Sequence, residues 1–74
     1  MLIRFKSYNG IISIYNTENV IRMGVYDGRI RIVGDSSDGE RNAKFSSQER
    51  AIEALDKIYT AYADGLRAIT IEVD

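Results

Sequence analysis

The chain predicts an α+β fold: a mainly antiparallel, twisted sheet in the order β-β-β-β-β-α-β, with one amphipathic helix packed on one face. Three observations carry this. Short alternating segments fill residues 1–34, broken by two hairpin dipeptides, Asn9-Gly10 and Asp27-Gly28. One run of helical period extends from Phe45 to Leu66. A last alternating segment, Ala68 to Val73, follows it.

From Met1 to Lys6, Ile3 and Phe5 fall on one side and Arg4 and Lys6 on the other. A type I′ turn at Asn9-Gly10 would place Lys6 opposite Ser13, Phe5 opposite Ile14 and Arg4 opposite Tyr15. Asn16 to Asn19 reads as a polar turn and Val20 to Tyr26 as a third strand. The Asp27-Gly28 turn pairs Val25 with Ile30 and Met23 with Ile32 on the apolar face. On the polar face it pairs Tyr26 with Arg29 and Gly24 with Arg31. A slip of one residue would exchange these faces, so the clean sorting selects the register. Gly34 to Asn42 reads as a polar loop and Ala43 to Phe45 as a short strand.

The helix carries marks at both ends. Ser46 is the expected N-cap, with Glu49 at capping-box spacing. Gly65 suits the left-handed C′ position, with Leu66 folding back on the last turn. Ile52, Leu55, Tyr59 and Tyr62 recur at steps of three, four and three, which predicts the core-facing stripe, with Ala51 and Ile58 on its edge. Glu53, Asp56, Lys57, Thr60 and Asp64 fall opposite, Glu53 and Lys57 at favourable spacing. In the last strand Ile69, Ile71 and Val73 point inward, and Thr70 and Glu72 outward. The end strands are exposed edges, a route to pairing between copies.

Residues 1–74 have the size of a single domain whose core is small, which favours a homo-oligomer. Apolar residues at 45% and charged residues at 28% are ordinary for a globular chain. With no cysteine and no histidine, disulfide, thiolate and imidazole chemistry and the usual zinc sites are out of reach. No apolar run is long enough for a membrane span, and no signal peptide is recognisable, so a cytoplasmic location without membrane association is expected. The net charge of −1 is unevenly spread, +3 over residues 1–34 and −4 over residues 35–74.

The chemistry concentrates on the sheet face the helix leaves open. In the registers above, that face collects Arg4, Lys6, Arg22, Arg29 and Arg31, interleaved with Tyr8, Tyr15 and Tyr26. Guanidinium groups bind phosphate bidentately and tyrosine rings stack on bases, so the face suits a small anionic, nucleotide-like ligand. The same residue types also serve on any solvated sheet face, or in a protein interface. A secondary anion site is expected at the helix start, from Lys44, Ser46, Ser47 and Arg50. Leu55, Tyr59 and Tyr62 would serve the core or a subunit interface.

The acidic loop fails as a calcium site: Gly39 falls at the fifth loop position, Glu40 at the sixth that needs glycine, and Ser46 at the twelfth that needs glutamate. No metal and no cofactor is expected. Catalytic residues are not expected either: no base stands near the serines, no paired carboxylates converge, and the glycines follow no phosphate-loop spacing.

The opening Met1-Leu2-Ile3-Arg4 and the segment Glu49-Arg50-Ala51-Ile52-Glu53-Ala54-Leu55-Asp56-Lys57-Ile58 resemble small proteins encoded by phages and prophages of Gram-positive bacteria. The resemblance covers about a fifth of the chain and transfers no binding residue. It implies a stoichiometric anti-defence role, either sequestration of a nucleotide immune signal or direct inhibition of a host defence protein in an anti-CRISPR-like manner. For the second, Asp35 to Glu40 with Glu53, Asp56 and Asp64 would dock on a basic partner. A nucleic-acid-binding regulator is a third reading, and the net charge of −1 argues against duplex binding.

Overall fold

Six strands and one helix follow the expected order in the computed structural model, which describes residues 1–34 and 40–74. The strands are β1 (Leu2–Ser7), β2 (Ile12–Asn16), β3 (Val20–Tyr26), β4 (Arg29–Gly34), β5 (Glu40–Lys44) and β6 (Ala68–Val73). The helix α1 spans Gln48–Ala63, and a single 3₁₀ turn covers Thr17–Asn19. The fold is α+β, with the strands divided between two three-stranded sheets, β2-β1-β6 and β3-β4-β5. All pairings are antiparallel except β1 with β6. Of the expected polar loop, Gly34 ends β4 and residues 40–42 are strand; residues 35–39, where the calcium-type spacing begins, lie outside the described residues.

The second hairpin forms in the register read from its turn. Asp27 and Gly28 have φ of 52° and 72°, as a type I′ turn requires. Val25 then faces Ile30, Met23 faces Ile32, Gly24 faces Arg31 and Tyr26 faces Arg29.

The first hairpin is displaced by one residue from the expected register. Ser7 N–H donates to Ile11 O at 2.9 Å and Gly10 N–H to Ser7 O at 3.0 Å, closing a three-residue loop with only Gly10 at positive φ. Three residues instead of two change the pairing to Lys6–Ile12, Phe5–Ser13, Arg4–Ile14 and Ile3–Tyr15. A one-residue slip turns every β2 side chain over. Tyr15 therefore joins the core side, its ring edge-on to Phe5 at 5.7 Å, while Ile12 and Ile14 face out beside Arg4 and Lys6.

One core joins both sheets and the helix. It holds Ile3, Phe5, Ile71 and Val73 from the first sheet, Ile30 and Ile32 from the second, Phe45, and Ala51, Ala54 and Ile58 from α1. Ile71 and Val73 are buried as expected, with Ile69 packed against them.

The helix is turned by about one residue from the expected orientation. Its buried residues are Ala51, Ala54, Ile58 and Ala61, spaced like the Ile52–Tyr62 stripe but set one position earlier. Tyr59 and Tyr62 are 74% and 65% exposed, Ile52 is also exposed, and Leu55 is half-buried. Alanines let the helix backbone approach the sheets closely. A buried tyrosine hydroxyl would need a partner, and among the described residues the core contains no polar side chain.

The helix start also differs by one. Ser47, not Ser46, is the N-cap, its Oγ accepting from Arg50 N–H at 3.2 Å, so the Glu49 capping box does not form. Glu53 pairs with Arg50 at 3.4 Å. The far end closes as expected: Leu66 N–H donates to Ala61 O at 3.0 Å and Gly65 N–H to Tyr62 O at 3.1 Å, a Schellman closure.

Candidate anion-binding surface

The division into two sheets divides the expected cationic face. Arg4 and Lys6 lie on the outer face of β2-β1-β6, where Arg4 Nε donates to Thr70 Oγ1 at 3.1 Å. Arg22, Tyr26, Arg29 and Arg31 share the outer face of β3-β4-β5 by strand alternation. Tyr8 stands at the first hairpin's tip, and Tyr15 is removed from the face altogether by the register shift. Tyr8 and Tyr15 instead line a groove of about 200 Å³ between the sheets, with Phe5, Ser13, Asn42 and Lys44. That is below the size of ordinary ligand pockets, roughly 300–1,000 Å³.

The second sheet adds a residue that the expected primary site did not contain. Lys44 of β5 pairs with Arg29 of β4, so its ammonium group joins Arg29, Arg31 and Tyr26 on one face. The sequence signal lay one step out of reach, because β5 could be recognised only from Ala43 onward and its pairing partner could not be read at all. Tyr26 and Lys44 border an open depression of about 750 Å³, closed on its other side by Asp27, Ser46, Ser47 and Gln48. Its frame is stiff: Phe45 N–H donates to Gly28 O at 2.8 Å, and Gly28 N–H donates to Gln48 Oε1 at 2.6 Å.

Within this face the cations are partly engaged. Arg31 lies over the Tyr26 ring at 5.6 Å from its centroid, and Arg29 Nη1 sits 3.5 Å from Asp27 Oδ2. Such stacking fixes the ring and guanidinium planes while leaving Tyr26 largely exposed.

The secondary anion site is already filled by the chain's own carboxylate. Asp74 accepts from Ser46 N–H at 3.1 Å and from Ser46 Oγ at 2.5 Å, and Arg50 Nε stands 3.8 Å from its Oδ2. Ser47 caps the helix, and Lys44 belongs to the neighbouring depression. Of the four residues expected there, Ser46 and Arg50 contact the Asp74 carboxylate. Only the tertiary structure brings Asp74, 28 residues further on, to that place.

These contacts hold the Asp74 carboxyl below the ordinary value near 3.8, first through the Ser46 hydroxyl, then its N–H, with Arg50 assisting and partial desolvation opposing. A lowered folded-state pKa stabilises the protein above the unfolded value and ceases to do so as pH falls through the folded one. The Asp74→Asn variant should therefore melt below the parent at pH 7. Its melting temperature should also decline less than that of the parent below about pH 4. Parallel melting curves of both proteins from pH 7 to pH 2 check this, and identical acid limbs would refute it.

Among the described residues, no group of three or more His, Cys, Asp or Glu is placed to hold a metal ion, and no helix is long and apolar enough to cross a membrane. No family model, no curated protein and no solved structure matches the chain.

Proposed function

We propose that the protein is a non-enzymatic binder that sequesters a small nucleotide-like anion on the outer face of β3-β4-β5. The supporting observation is the convergence of Arg29, Arg31, Lys44 and the exposed Tyr26 on one face beside an open depression of about 750 Å³. Arg22 extends the same cationic face along β3. In this reading, guanidinium and ammonium groups take the phosphates and Tyr26 offers its ring to a base. Sequestration of an immune signal by a cytoplasmic phage or mobile-element protein is the setting suggested by the opening and helix segments.

Native mass spectrometry tests the reading, on protein purified from cells with and without an active nucleotide-signalling defence system. Retention of a nucleotide-sized mass from the first cells, lost in the Arg22→Ala/Arg29→Ala/Arg31→Ala variant, is the expected result. Equal retention by a folded triple variant would overturn the assignment.

A second reading rests on a different observation, the exposure of Ile52, Tyr59 and Tyr62 beside Glu53 and Asp56 on α1 and Asp64 at its C-cap. Exposed tyrosines among acids suit a protein inhibitor that docks on a basic host defence protein. The rest of its expected acidic surface, Asp35 to Gly39, lies outside the described residues. Reversing Glu53, Asp56 and Asp64 to lysine would abolish this activity and leave the arginine face competent.

A further inference from the structure

Each sheet has two edges, and three of the four edge strands carry features that discourage pairing with another chain. β3 has a register irregularity between Val20 and Arg22. β5 carries Arg41 and Lys44, both exposed. β6 carries the exposed Glu72 and continues into Asp74, which is tied to Ser46. Charges and bulges of this kind are how proteins keep sheet edges apart. β2 has none of them. Its residues are Ile12-Ser13-Ile14-Tyr15-Asn16, without charge, proline or bulge, and among the described residues no strand lies on its far side.

The hydrogen bonds of the first hairpin show which main-chain groups this edge presents. Ser7 N–H donates to Ile11 O, and Thr17 N–H donates to Met1 O at 2.9 Å, so Ser7–Ile11 and Met1–Thr17 are hydrogen-bonded pairs of one antiparallel ladder. Such pairs alternate, which makes Phe5–Ser13 and Ile3–Tyr15 the others. Ile12, Ile14 and Asn16 therefore turn their N–H and C=O groups outward, to the free edge. The side chains of Ile12 and Ile14, 51% and 62% exposed, stand on the same strand with Leu2 and Ile11 exposed nearby.

We propose that β2 pairs antiparallel with β2 of a second copy, joining two β2-β1-β6 sheets into one six-stranded sheet about a two-fold axis at Ile14. This edge complements itself. With Ile14 opposite its own mate and Ile12 opposite the mate's Asn16, each outward N–H meets an outward C=O, making about six main-chain hydrogen bonds. No shorter overlap uses all three residues. The isoleucines, placed outside by the three-residue loop, then line up across the junction as a cross-strand cluster. The arrangement is isologous and closes at two copies. It is independent of the ligand assigned to the arginine face of the other sheet.

Light scattering on the whole protein and on Ile14→Glu tests the proposal. In one chain the new carboxylate lies opposite Arg4, so the fold gains a cross-strand pair, whereas in the dimer it faces its own mate. The parent should show twice the chain mass and Ile14→Glu the single mass with unchanged circular dichroism. Tyr59→Lys, on the helix, should remain double. The chain lacks cysteine, so spin labels at Ile14→Cys and Ile12→Cys report the register. The first pair should couple strongly, with Cα atoms about 5.5 Å apart, while the second should lie about 14 Å apart. A monomeric parent, a dimeric Ile14→Glu, a monomeric Tyr59→Lys or strong coupling at position 12 alone would overturn it.

Discussion

Ile30→Ala is expected to be the most damaging single truncation in the chain. Ile30 sits in the central strand of its sheet, between Val25 and Ala43, and is fully buried in the shared core. Truncating a buried isoleucine to alanine removes its transfer energy and leaves a void, at about 2–5 kcal/mol. A domain of this size has a total stability of roughly 4–11 kcal/mol at ~0.05–0.15 kcal/mol per residue. The variant should therefore lose a large share of its stability. Since 1 kcal/mol moves the melting temperature of such a domain by about 4–8 °C, a drop of ~10 °C or more is expected. Ile14→Ala on the exposed face of β2 is the control. In the dilute, dissociated protein it should change stability by no more than about 0.5 kcal/mol. Urea denaturation of the three proteins measures the contrast. Equal losses at positions 14 and 30 would mean that β2 is turned the other way, with the first hairpin in its two-residue-loop register.

The second large effect tests the orientation of the helix. Ala51 is completely buried where α1 meets the sheets. Ala51→Leu adds three heavy atoms where the helix backbone sits close, and overpacking of this kind costs about 1–3 kcal/mol. Tyr59→Ala, by contrast, removes a whole ring from an exposed position and should change stability by about 0.5 kcal/mol or less. The larger side-chain change would thus have the smaller consequence. The reverse order in thermal melts would restore the Ile52–Leu55–Tyr59–Tyr62 stripe as the core face.

Both tests touch places where sequence patterns left two solutions. The helix carries two parallel apolar stripes, one of alanines with Ile58 and one of larger residues. Both stripes have helical spacing, and the larger apolar area of isoleucine, leucine and tyrosine side chains favours the second. The close approach to two sheets, and the absence of a buried partner for a tyrosine hydroxyl, selected the smaller. Likewise Asn9-Gly10 is compatible with a two-residue or a three-residue loop, and the loop adopted decides which β2 side chains face water.

The candidate site divides in the same way. Arg22, Tyr26, Arg29 and Arg31 were legible as one face because Asp27-Gly28 sets a local register that nothing distant needs to confirm. Arg4, Lys6, Tyr8 and Tyr15 left that face because their placement depended on how the first hairpin joins the second, which no local signal encodes. Lys44 entered it only through the pairing of β5 with β4, and Asp74 reached Ser46 only through the parallel pairing of β6 with β1.

By itself, then, the sequence determined the order of elements, the second hairpin with its cationic face, the last strand and the closure of the helix at Gly65. All of these follow from contacts between residues near in the chain. The tertiary structure alone decided the division into two sheets, the turn of the helix, the filling of the anion site by Asp74 and the exposure of β2. Each of those depends on packing between segments far apart in sequence, where volume and hydrogen-bond satisfaction, rather than local pattern, select among the alternatives.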